Sequence, residues 1–445
     1  MRPIELRTVI NVLNGKAKGI TESNPKKTLN GVNVDSRTIQ KGELFFALKG
    51  SRFDGHNYVD EAVKKSGLPA VVDRKVQGED FILVQDSLLA LGEFASYYRK
   101  LVDPLVIAIT GSAGKTTTKE FLGAIFAELS PTLTSFKNYN NRIGVPLNIF
   151  RLEDEEVAIL ELATNEKGEI KRLSEITKPD LAVITSIGYS HLQAFKDKKG
   201  VLLEKKDIME GLSGPLFIDG DDELLSTIKY DGLKRFGLNK DNDYSFGILQ
   251  ESIDGSIFGD DKEEFYIYLP GVGAIKSALA ATAVAFYYKI PSPVIQKGLT
   301  SIKPIPQRLE IKRRGDITII DDTYNSNPDS LMNSISFLSS MPGRKLAVLG
   351  PMLELGEKSS ELHRISGKGI RGKVDGLFVI GEEARGLIEG FGEGVTFKDK
   401  DEAFNKLKSI LKPGDIILCK SSHSLHLETL VSRIEEEICS ISYTH

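Results

Sequence analysis

The architecture of this chain is built around residues 104–129, PLVIAITGSAGKTTTKEFLGAIFAEL. Residues 106–109 form a short apolar run typical of a buried strand, and apolar side chains recur at helical spacing from Phe121 to Leu129. Between them lies a loop of small residues that ends in Gly-Lys-Thr. This order predicts a strand, a phosphate-binding loop and a helix; a tight turn without a ligand is the alternative.

The residue types of this loop match the chemistry of phosphate binding. Glycines let backbone N–H groups turn toward phosphate oxygens, and the N-terminus of the following helix adds partial positive charge. Lys115 is expected to reach the terminal phosphates, and the Thr116 hydroxyl is expected to bind Mg²⁺. Ile109 stands five positions before Gly114, where the common pattern has glycine, so this is the shorter form of the loop. The predicted phosphate-binding residues are Gly111, Ser112, Ala113, Gly114, Lys115, Thr116 and Thr117.

Composition and charge narrow the class of protein. The 445 residues are 40% hydrophobic and 27% charged, with a formal net charge of -4, which is typical of a globular chain of roughly two to four domains. The sequence has no basic tract of the kind that binds nucleic acid, so we predict small anionic substrates. Cys419 and Cys439 lack metal-ligand spacing, which favours a reducing compartment. No apolar run reaches membrane-spanning length, and residues 1–7 lack the apolar core of a signal peptide, so we expect a cytoplasmic protein without a membrane span.

Residues 1–102 are predicted to form a small α/β domain, because short apolar runs alternate with polar turns. Two probable loops, residues 35–37 and 49–56, group small, basic and hydrogen-bonding side chains in a way that suits a nucleoside diphosphate. Surface loops are also polar without any ligand, which is the alternative interpretation. The candidate substrate-binding residues in these loops are Ser36, Arg37, Arg52, Asp54 and His56.

Residues 103–308 are predicted to form a central domain with a mostly parallel sheet covered by helices. Ligands of such sheets bind at the carboxyl ends of the strands. Glu161 directly ends the buried-strand run 157–160, and His191 follows the run 181–184 after a turn. A carboxylate and an imidazole at this edge suit Mg²⁺ beside the phosphate loop. Each residue taken alone is also explained as a cap or as a loop side chain.

Residues 309–445 are predicted to form a third domain, a Rossmann-like α/β unit that begins after the proline-rich boundary at 304–308. Polar side chains at 321–330 follow its first strand, where Asn-Pro sets a turn. The expected fold class is therefore α/β, with three domains and no internal repeat.

Motifs in all three predicted domains carry a resemblance to a known family. Residues 110–120 (TGSAGKTTTKE) and 138–147 (NYNNRIGVPL) resemble the Mur ligases of peptidoglycan synthesis. Residues 322–330 (DTYNSNPDS) and 349–356 (LGPMLELG) are similar to the member that adds D-alanyl-D-alanine to UDP-MurNAc-tripeptide. The Asp-Tyr-Ala-His-x-Pro stretch of the relative that adds the third amino acid is absent from the sequence. The resemblance implies an ATP-dependent ligase that works through an acyl phosphate, with UDP-MurNAc-tripeptide and D-Ala-D-Ala as its small-molecule substrates.

The resemblance also implies roles for individual residues. Lys115 and Thr116 would hold the ATP phosphates and Mg²⁺, with two Mg²⁺ sites expected, while Glu161 and His191 would be metal ligands. Arg308 would approach the nucleotide phosphates. Further nucleotide contacts are implied for Asn141, Asp322, Tyr324 and Asn325, and a substrate contact is implied for Asn327.

The charged run 204–207 has two interpretations. From composition alone it is a solvated helix face, since runs of mixed charge on helices are usually exposed to solvent. In the family that the sequence resembles, a lysine on this helix is carbamylated and binds metal, and the alignment places that lysine at Lys205. The resemblance therefore implies four catalytic residues: Lys115, His191, Lys205 and Arg308.

Some motifs depart from the family pattern. Gly273, Ala274 and Ser277 stand where relatives carry His, Asn and Asn on the adenosine side. Residues 420–423 are Lys-Ser-Ser-His where Lys-Gly-Ser-Arg is usual, and residues 163–164 are Ala-Thr where Gly-Ala is usual. The alternatives are another Mur ligase, a folylpolyglutamate synthase or a phosphate-loop NTPase switch. A monomer is expected.

Overall fold

The computed structural model describes residues 1–18, 24, 26–77 and 80–438. The chain divides into two compact units. The first unit comprises Met1–Thr110, Leu129–Val183 and Lys206–Leu216, and the second comprises Gly111–Glu128, Ile184–Lys205 and Phe217–His445. The three-domain boundaries proposed from sequence stay a prediction.

The N-terminal part of the first unit contains a five-stranded sheet. Its strands lie in the order Lys16–Lys18, Phe81–Leu83, Ala70–Val72, Glu43–Phe46 and Gly31–Asn33. The first pair is antiparallel and the other pairs are parallel. Phe45, Val59 and Val72 belong to its buried core, so the short apolar runs of this region do form the strands that were predicted.

A second group of strands in the first unit leads to the phosphate loop. Leu105–Thr110 pairs in parallel with Val157–Glu161, which pairs in parallel with Thr132–Thr134. Residues 106–109 are completely buried, which explains their unbroken apolar sequence. The predicted strand before the loop is confirmed.

The first unit also holds helices and short strands around these sheets. Ile4–Glu5 pairs antiparallel with Thr28–Leu29, and Leu181–Ile184 is a strand that ends at the start of the second unit. The helices are Leu6–Leu13, Val59–Ser66, Ser87–Val102, Gly144–Ile149 and Glu169–Thr177, with 3-10 turns at Gly55–Tyr58 and Asp207–Gly211.

The C-terminal part of the second unit is a six-stranded sheet. Its strand order is Glu310–Arg314, Ile317–Asp322, Asp415–Lys420, Arg344–Leu349, Gly376–Ile380 and Val395–Phe397. The first pair is antiparallel and the remaining pairs are parallel. The carboxyl ends of the parallel strands lie at one edge, where polar residues such as Asp322 and Lys420 come together.

Residues 247–267 differ from the prediction of alternating strands and helices in 103–308. They form a three-stranded antiparallel sheet of Gly247–Ser252, Gly255–Gly259 and Glu264–Ile267. The first turn contains Asp254 followed by Gly255, a dipeptide that favours tight hairpins. This local turn signal, rather than the alternation of the surrounding segments, decides the structure here.

The remaining elements of the second unit surround these sheets. Leu216–Asp219, Leu233–Gly237 and Tyr244–Ser245 are strands. The helices are Lys115–Ala127, Leu192–Phe195, Lys198–Lys206, Val272–Tyr287, Ser292–Ser301, Pro328–Ser340, Ser359–Ile370, Gly386–Phe391, Lys400–Ile410 and Glu428–Arg433. Across the described ranges, no helix has both the length and the apolar character needed to cross a bilayer. Cys419 is a buried free thiol, and Cys439 lies outside the described residues.

Candidate functional site

The phosphate loop connects the strand Leu105–Thr110 to the helix Lys115–Ala127. Gly111 has a φ of +150° and Gly114 a φ of +83°, conformations that residues with a side chain adopt only with strain. A Cβ on Gly111 would also overlap the hydroxyl of Thr185. The path of the loop backbone therefore requires both glycines.

Residues directly after the strand Leu181–Ile184 hold the loop in this shape. Thr185 Oγ1 donates to the carbonyl oxygen of Ala113 at 2.5 Å. The N–H of Ala113 donates to Ser186 Oγ at 3.0 Å, and the N–H of Ser112 donates to the Ser186 carbonyl oxygen at 2.9 Å. Sequence analysis missed Thr185 and Ser186, although their position at the end of a buried strand was an available signal.

Three residues predicted at the nucleotide meet beside the loop. Arg308 Nη2 donates to Thr116 Oγ1 at 3.1 Å, and its guanidinium carbon lies 4.0 Å from the centroid of the Tyr324 ring. Lys115 Nζ donates to the carbonyl oxygen of Gly111 at 2.8 Å. Two cations therefore lie at the loop, an arrangement that stabilises the charge of a transferring phosphoryl group.

The backbone on both sides of Arg308 is constrained. Gln307 and Leu309 have φ values of +62° and +48°, in the left-handed region that costs a non-glycine residue about 1 kcal/mol or more. The N–H of Tyr324 donates to the carbonyl oxygen of Gln307 at 3.1 Å. Strain of this kind persists where surrounding contacts impose it, and it clusters at functional sites.

The carboxylate of Asp322 accepts hydrogen bonds from other residues of the protein. Its Oδ2 accepts hydrogen bonds from Lys420 Nζ at 2.5 Å and from Ser334 Oγ at 2.6 Å. Its Oδ1 accepts from the N–H of Leu309 at 3.2 Å, and Lys420 Nζ also donates to the carbonyl oxygen of Asn325 at 2.9 Å. Asp322 therefore links the end of its own strand to Leu309, Ser334 and Lys420 through hydrogen bonds. The predicted contacts of Asp322 and Asn325 with the nucleoside stay predictions.

Two asparagines predicted to contact ligands accept hydrogen bonds from backbone N–H groups near the start of a helix. Asn327 Oδ1 accepts from the N–H of Ser330 at 2.8 Å, in a capping box at the start of Pro328–Ser340. Asn141 Oδ1 accepts from the N–H of Gly144 at 2.9 Å. Asparagine favours such positions because its side-chain oxygen satisfies an N–H that the helix leaves without a partner. These bonds give both side chains a structural role, and their ligand contacts stay predictions.

His191 pairs with a carboxylate that sequence analysis did not assign to the site. Its Nδ1 lies 2.6 Å from Oε2 of Glu354. The hydrogen bond with His191 lowers the pKa of Glu354, against the smaller opposing effect of burial. Glu354 belongs to the motif 349–356 that carried the family resemblance, but nothing in that motif predicts a histidine partner.

The interpretation of the run 204–207 as a solvated face is wrong for Glu204 and Lys205, which are 5% and 2% exposed. They share a buried face of the helix Lys198–Lys206 with Val201, because residues three and four positions apart on a helix lie on the same side. Lysine is almost never buried to this extent unless it is paired.

Glu161 ends its strand as predicted and is 3% exposed. Its Oε1 accepts from Asn140 Nδ2 at 2.9 Å, and its N–H donates to Ser135 Oγ at 2.9 Å. These contacts fix the position of the carboxylate at the carboxyl end of the strand.

Two of the four predicted metal ligands, Thr116 and Glu161, carry the oxygen donors that Mg²⁺ prefers. In the described part of the chain, no three His, Cys, Asp or Glu side chains gather into a metal-binding group. Only Glu161 and His191 of the predicted set are residues of these types. The other two ligands would be the hydroxyl of Thr116 and a carbamate on Lys205. Oxygen donors suit Mg²⁺, which also keeps water and phosphate ligands. The set consists of Thr116, Glu161, His191 and Lys205.

In the first unit, the loop at 49–56 contains a buried histidine between two carboxylates. His56 is 6% exposed; its Nδ1 lies 2.8 Å from Asp54 Oδ1 and its Nε2 lies 3.1 Å from Asp73 Oδ1. Arg74 also pairs with Asp54. Burial opposes ionisation of Asp54, but the hydrogen bonds from His56 and Arg74 outweigh it and lower its pKa to about 2.

Of the other candidate residues of this unit, the two arginines are exposed and the serine is buried. Arg37 forms an exposed pair with Asp35, with Nη2 at 2.6 Å from Oδ2, and this hydrogen bond lowers the pKa of Asp35 to about 2. Ser36 is buried and Arg52 is exposed. Exposed guanidinium groups are well suited to bind phosphate oxygens in pairs.

Three family models match successive parts of the chain. The model described as Mur ligase family, catalytic domain, matches residues 28–99. The Mur ligase middle domain matches residues 109–285, and the Mur ligase, glutamate ligase domain, matches residues 307–423.

Proteins similar to this chain align over nearly its whole length. The UDP-N-acetylmuramoyl-tripeptide--D-alanyl-D-alanine ligase of Bacillus subtilis is 35% identical over 97% of this chain and 98% of its own. The corresponding ligase of Escherichia coli is 32% identical over 98% of this chain and 99% of its own.

Solved structures show the same similarity. A crystal structure of MurF from Acinetobacter baumannii has a TM-score of 0.92 and 29% identity, covering 98% of this chain and 100% of that one. MurF from Thermotoga maritima in complex with ADP has a TM-score of 0.85 and 28% identity, covering 92% and 98%. With matching domain models and relatives aligned from end to end, this chain belongs to the Mur ligase family.

Proposed function

We propose that this chain is an ATP-dependent ligase that joins D-alanyl-D-alanine to UDP-MurNAc-tripeptide in peptidoglycan precursor synthesis. The observation that carries the proposal is the end-to-end similarity to ligases with this activity, at 35% identity over 97% of the chain for the Bacillus subtilis enzyme. The contacts among Thr116, Arg308 and Tyr324 beside the phosphate loop support it.

The proposed reaction proceeds in two steps. The free carboxylate of the tripeptide attacks the γ-phosphorus of ATP, which forms an acyl phosphate and releases ADP. The amine of D-Ala-D-Ala then attacks the acyl carbon, which forms the amide and releases inorganic phosphate and a proton. Such transfers depend on positioning and charge stabilisation. Lys115, Arg308 and the loop N–H groups supply both, and no protein nucleophile is required.

Mg²⁺ is proposed to bind Thr116, Glu161, His191 and, as a carbamate, Lys205. When bound, the ion supplies charge neutralisation for the phosphate oxygens and a template that orients them. The protein's contribution is to hold these side chains in place: Arg308 donates to the Thr116 hydroxyl, and Asn140 donates to Glu161.

Lys205 is proposed to be a carbamate. Its burial supports this, because an ammonium group is costly to bury beside a metal site, whereas a carbamate is an anion with two oxygen donors. Carbamate formation joins the neutral amine to CO₂ and releases a proton. Labelling with ¹³C-bicarbonate is expected to give a carbamate NMR signal that Lys205→Ala abolishes.

The same variant tests the role of Lys205 in activity. Lys205→Ala should lose turnover that acetate or bicarbonate partly restores, since a small carboxylate can occupy the vacated space. The matched control is Lys206→Ala, because Lys206 is adjacent in sequence and more exposed. Full activity of Lys205→Ala would overturn the carbamate proposal.

The N-terminal loops are proposed to bind the UDP group. The exposed guanidinium groups of Arg37 and Arg52 can donate paired hydrogen bonds to the diphosphate. His56 stabilises its loop through its contacts with Asp54 and Asp73. The combined variant Arg37→Ala and His56→Ala should raise the KM for the UDP substrate. An unchanged KM would assign this region a scaffold role.

The proposed function is tested by a phosphate-release assay in which each substrate is omitted in turn. A ligase should release phosphate at full rate only with ATP, UDP-MurNAc-tripeptide and D-Ala-D-Ala together. Assays with diaminopimelate-containing and lysine-containing tripeptides would identify the third residue. Turnover without an amine acceptor would favour an NTPase switch, and turnover with a folate and glutamate would favour a folylpolyglutamate synthase.

Cytoplasmic location and a monomeric state belong to the same proposal. Both substrates are small molecules, and no second copy of the chain is needed to explain the residues of the site. Light scattering at assay concentration should give the mass of one chain, and a dimer mass would overturn the monomer proposal.

A further inference from the structure

Glu354 makes a well-defined contact with His191. Its Oε2 lies 2.6 Å from His191 Nδ1, and its carbonyl oxygen accepts from the N–H of Gln193 at 3.1 Å. The side chain and the backbone of one residue therefore hold the same short segment.

Both residues of this pair have unusual backbone conformations. His191 has a φ of +51° and Glu354 a φ of +63°, left-handed conformations that are unfavourable for residues with a side chain. A strained residue persists where contacts over-determine it, and it is often part of a functional site. Here the two strained residues bring an imidazole and a carboxylate into hydrogen-bonding contact.

The contact distinguishes the two ring nitrogens of His191. An ionised carboxylate has no proton to donate, so Nδ1 carries the proton of this hydrogen bond. A neutral imidazole with its proton on Nδ1 has its lone pair on Nε2, which is the form that binds a metal through Nε2.

We propose that Glu354 is a positioning residue for His191, holding the imidazole with Nδ1 protonated so that Nε2 is presented to the metal. The assignment of His191 as a metal ligand rests on the proposed function. The orientation of its ring and the proton on Nδ1 do not, because both follow from the contact with Glu354.

A second acidic residue holds the same loop without touching the imidazole. Asp329 Oδ2 accepts from the N–H of Tyr189 at 2.7 Å, and Asp329 Oδ1 accepts from Lys198 Nζ at 2.8 Å. Asp329→Asn therefore serves as a matched control, since it weakens a charged loop contact but leaves the His191–Glu354 pair in place.

The tautomer can be measured without substrate, nucleotide or metal. With ¹⁵N-labelled histidine, His191→Gln assigns the His191 signals among those of the six histidines. At a pH high enough for the imidazole to be neutral, the wild type and Asp329→Asn should show protonated Nδ1 and unprotonated Nε2. Glu354→Ala should lose this preference, and Glu354→Gln should retain it because the amide oxygen still accepts.

Metal binding and turnover provide the second measurement. Loss of a partner of a metal-binding histidine typically costs about 10-fold to 100-fold in metal affinity or activity. Glu354→Ala should show a loss of this size in Mn²⁺ affinity, measured by electron paramagnetic resonance, and in kcat, with the KM for the UDP substrate unchanged. Glu354→Gln should recover most of both.

The proposal is overturned if His191 keeps its Nδ1 proton and its Mn²⁺ affinity in Glu354→Ala, or if Asp329→Asn alters the tautomer equally. A wild-type protein with the expected tautomer but no ligase activity would overturn the proposed function and leave the positioning contact standing. The two proposals therefore fail in different measurements.

Discussion

At the scale of single residues, one lysine closes the phosphate loop and also begins the helix that follows it. Lys115 is the first residue of Lys115–Ala127, and its Nζ donates to the carbonyl oxygen of Gly111 at 2.8 Å. This bond curls the side chain back over the loop, where its charge lies close to the backbone that would surround the phosphates.

Lys115→Ala is expected to lower phosphate release by at least ~10²-fold, since one preorganised charge contact in a site that excludes water contributes a few kcal/mol. The unfolding temperature should change little, because the hydrogen bonds of Thr185 and Ser186 to the loop do not involve this side chain. Initial rates and thermal unfolding measure both effects. Near wild-type release would remove the loop lysine from the mechanism.

At the scale of elements, the helix Pro328–Ser340 begins with a capping asparagine, Asn327, which is also predicted to contact substrate. Asn327 and Ser330 form a capping box, and proline occupies the first helical position, where its missing N–H has no cost. The same helix start carries Asp329, which holds the loop of His191. The orientation of this helix therefore bears on the candidate site.

Asn327→Ala is expected to destabilise the protein by about 1 kcal/mol, because the cap bond to the Ser330 N–H is lost. Asn333→Ala is the matched control, since Asn333 is exposed on the same helix and alanine is the better helix former. Thermal unfolding of both variants, with the KM for each substrate, separates the roles. A raised KM without a lower unfolding temperature would favour the predicted substrate contact over the cap.

At the scale of the whole molecule, two carboxylates of the first unit set part of the response to acid. The pKa values of Asp35 and Asp54 are lowered from 3.8 to about 2. A carboxylate with a lowered folded-state pKa stabilises the fold above its unfolded pKa, and this stabilisation is lost as the pH falls toward the folded value.

The unfolding temperature should therefore fall as the pH decreases from about 3.8 to about 2, the window set by the lowered pKa of Asp54. Asp54→Asn removes one of the responsible groups, so its unfolding temperature should depend less steeply on pH in this window. Asp60→Asn, at an exposed position, is the control. Equal slopes in the wild type and Asp54→Asn would contradict the assignment.

The elements that the sequence predicted correctly are those with strong local signals. Residues 106–109 and 181–184 are apolar without interruption because they are buried in strands, and the phosphate loop has its glycines where the backbone requires them. The sheet at 247–267 was not predicted, because its strands are short and partly exposed, so its apolar pattern is weak. Its turn residues were the better signal.

Family, loop chemistry and the succession of strand, phosphate loop and helix at 104–129 were determined by the sequence itself, because motifs and periodicity are local properties of the chain. Only the tertiary structure decided that Arg308 would contact Thr116, that Glu354 would pair with His191, and that Lys205 would be buried. Such contacts join residues far apart in sequence, and whether a charged side chain faces water or the interior depends on what packs against its helix. Packing of this kind leaves no periodic signature in the residues that it brings together.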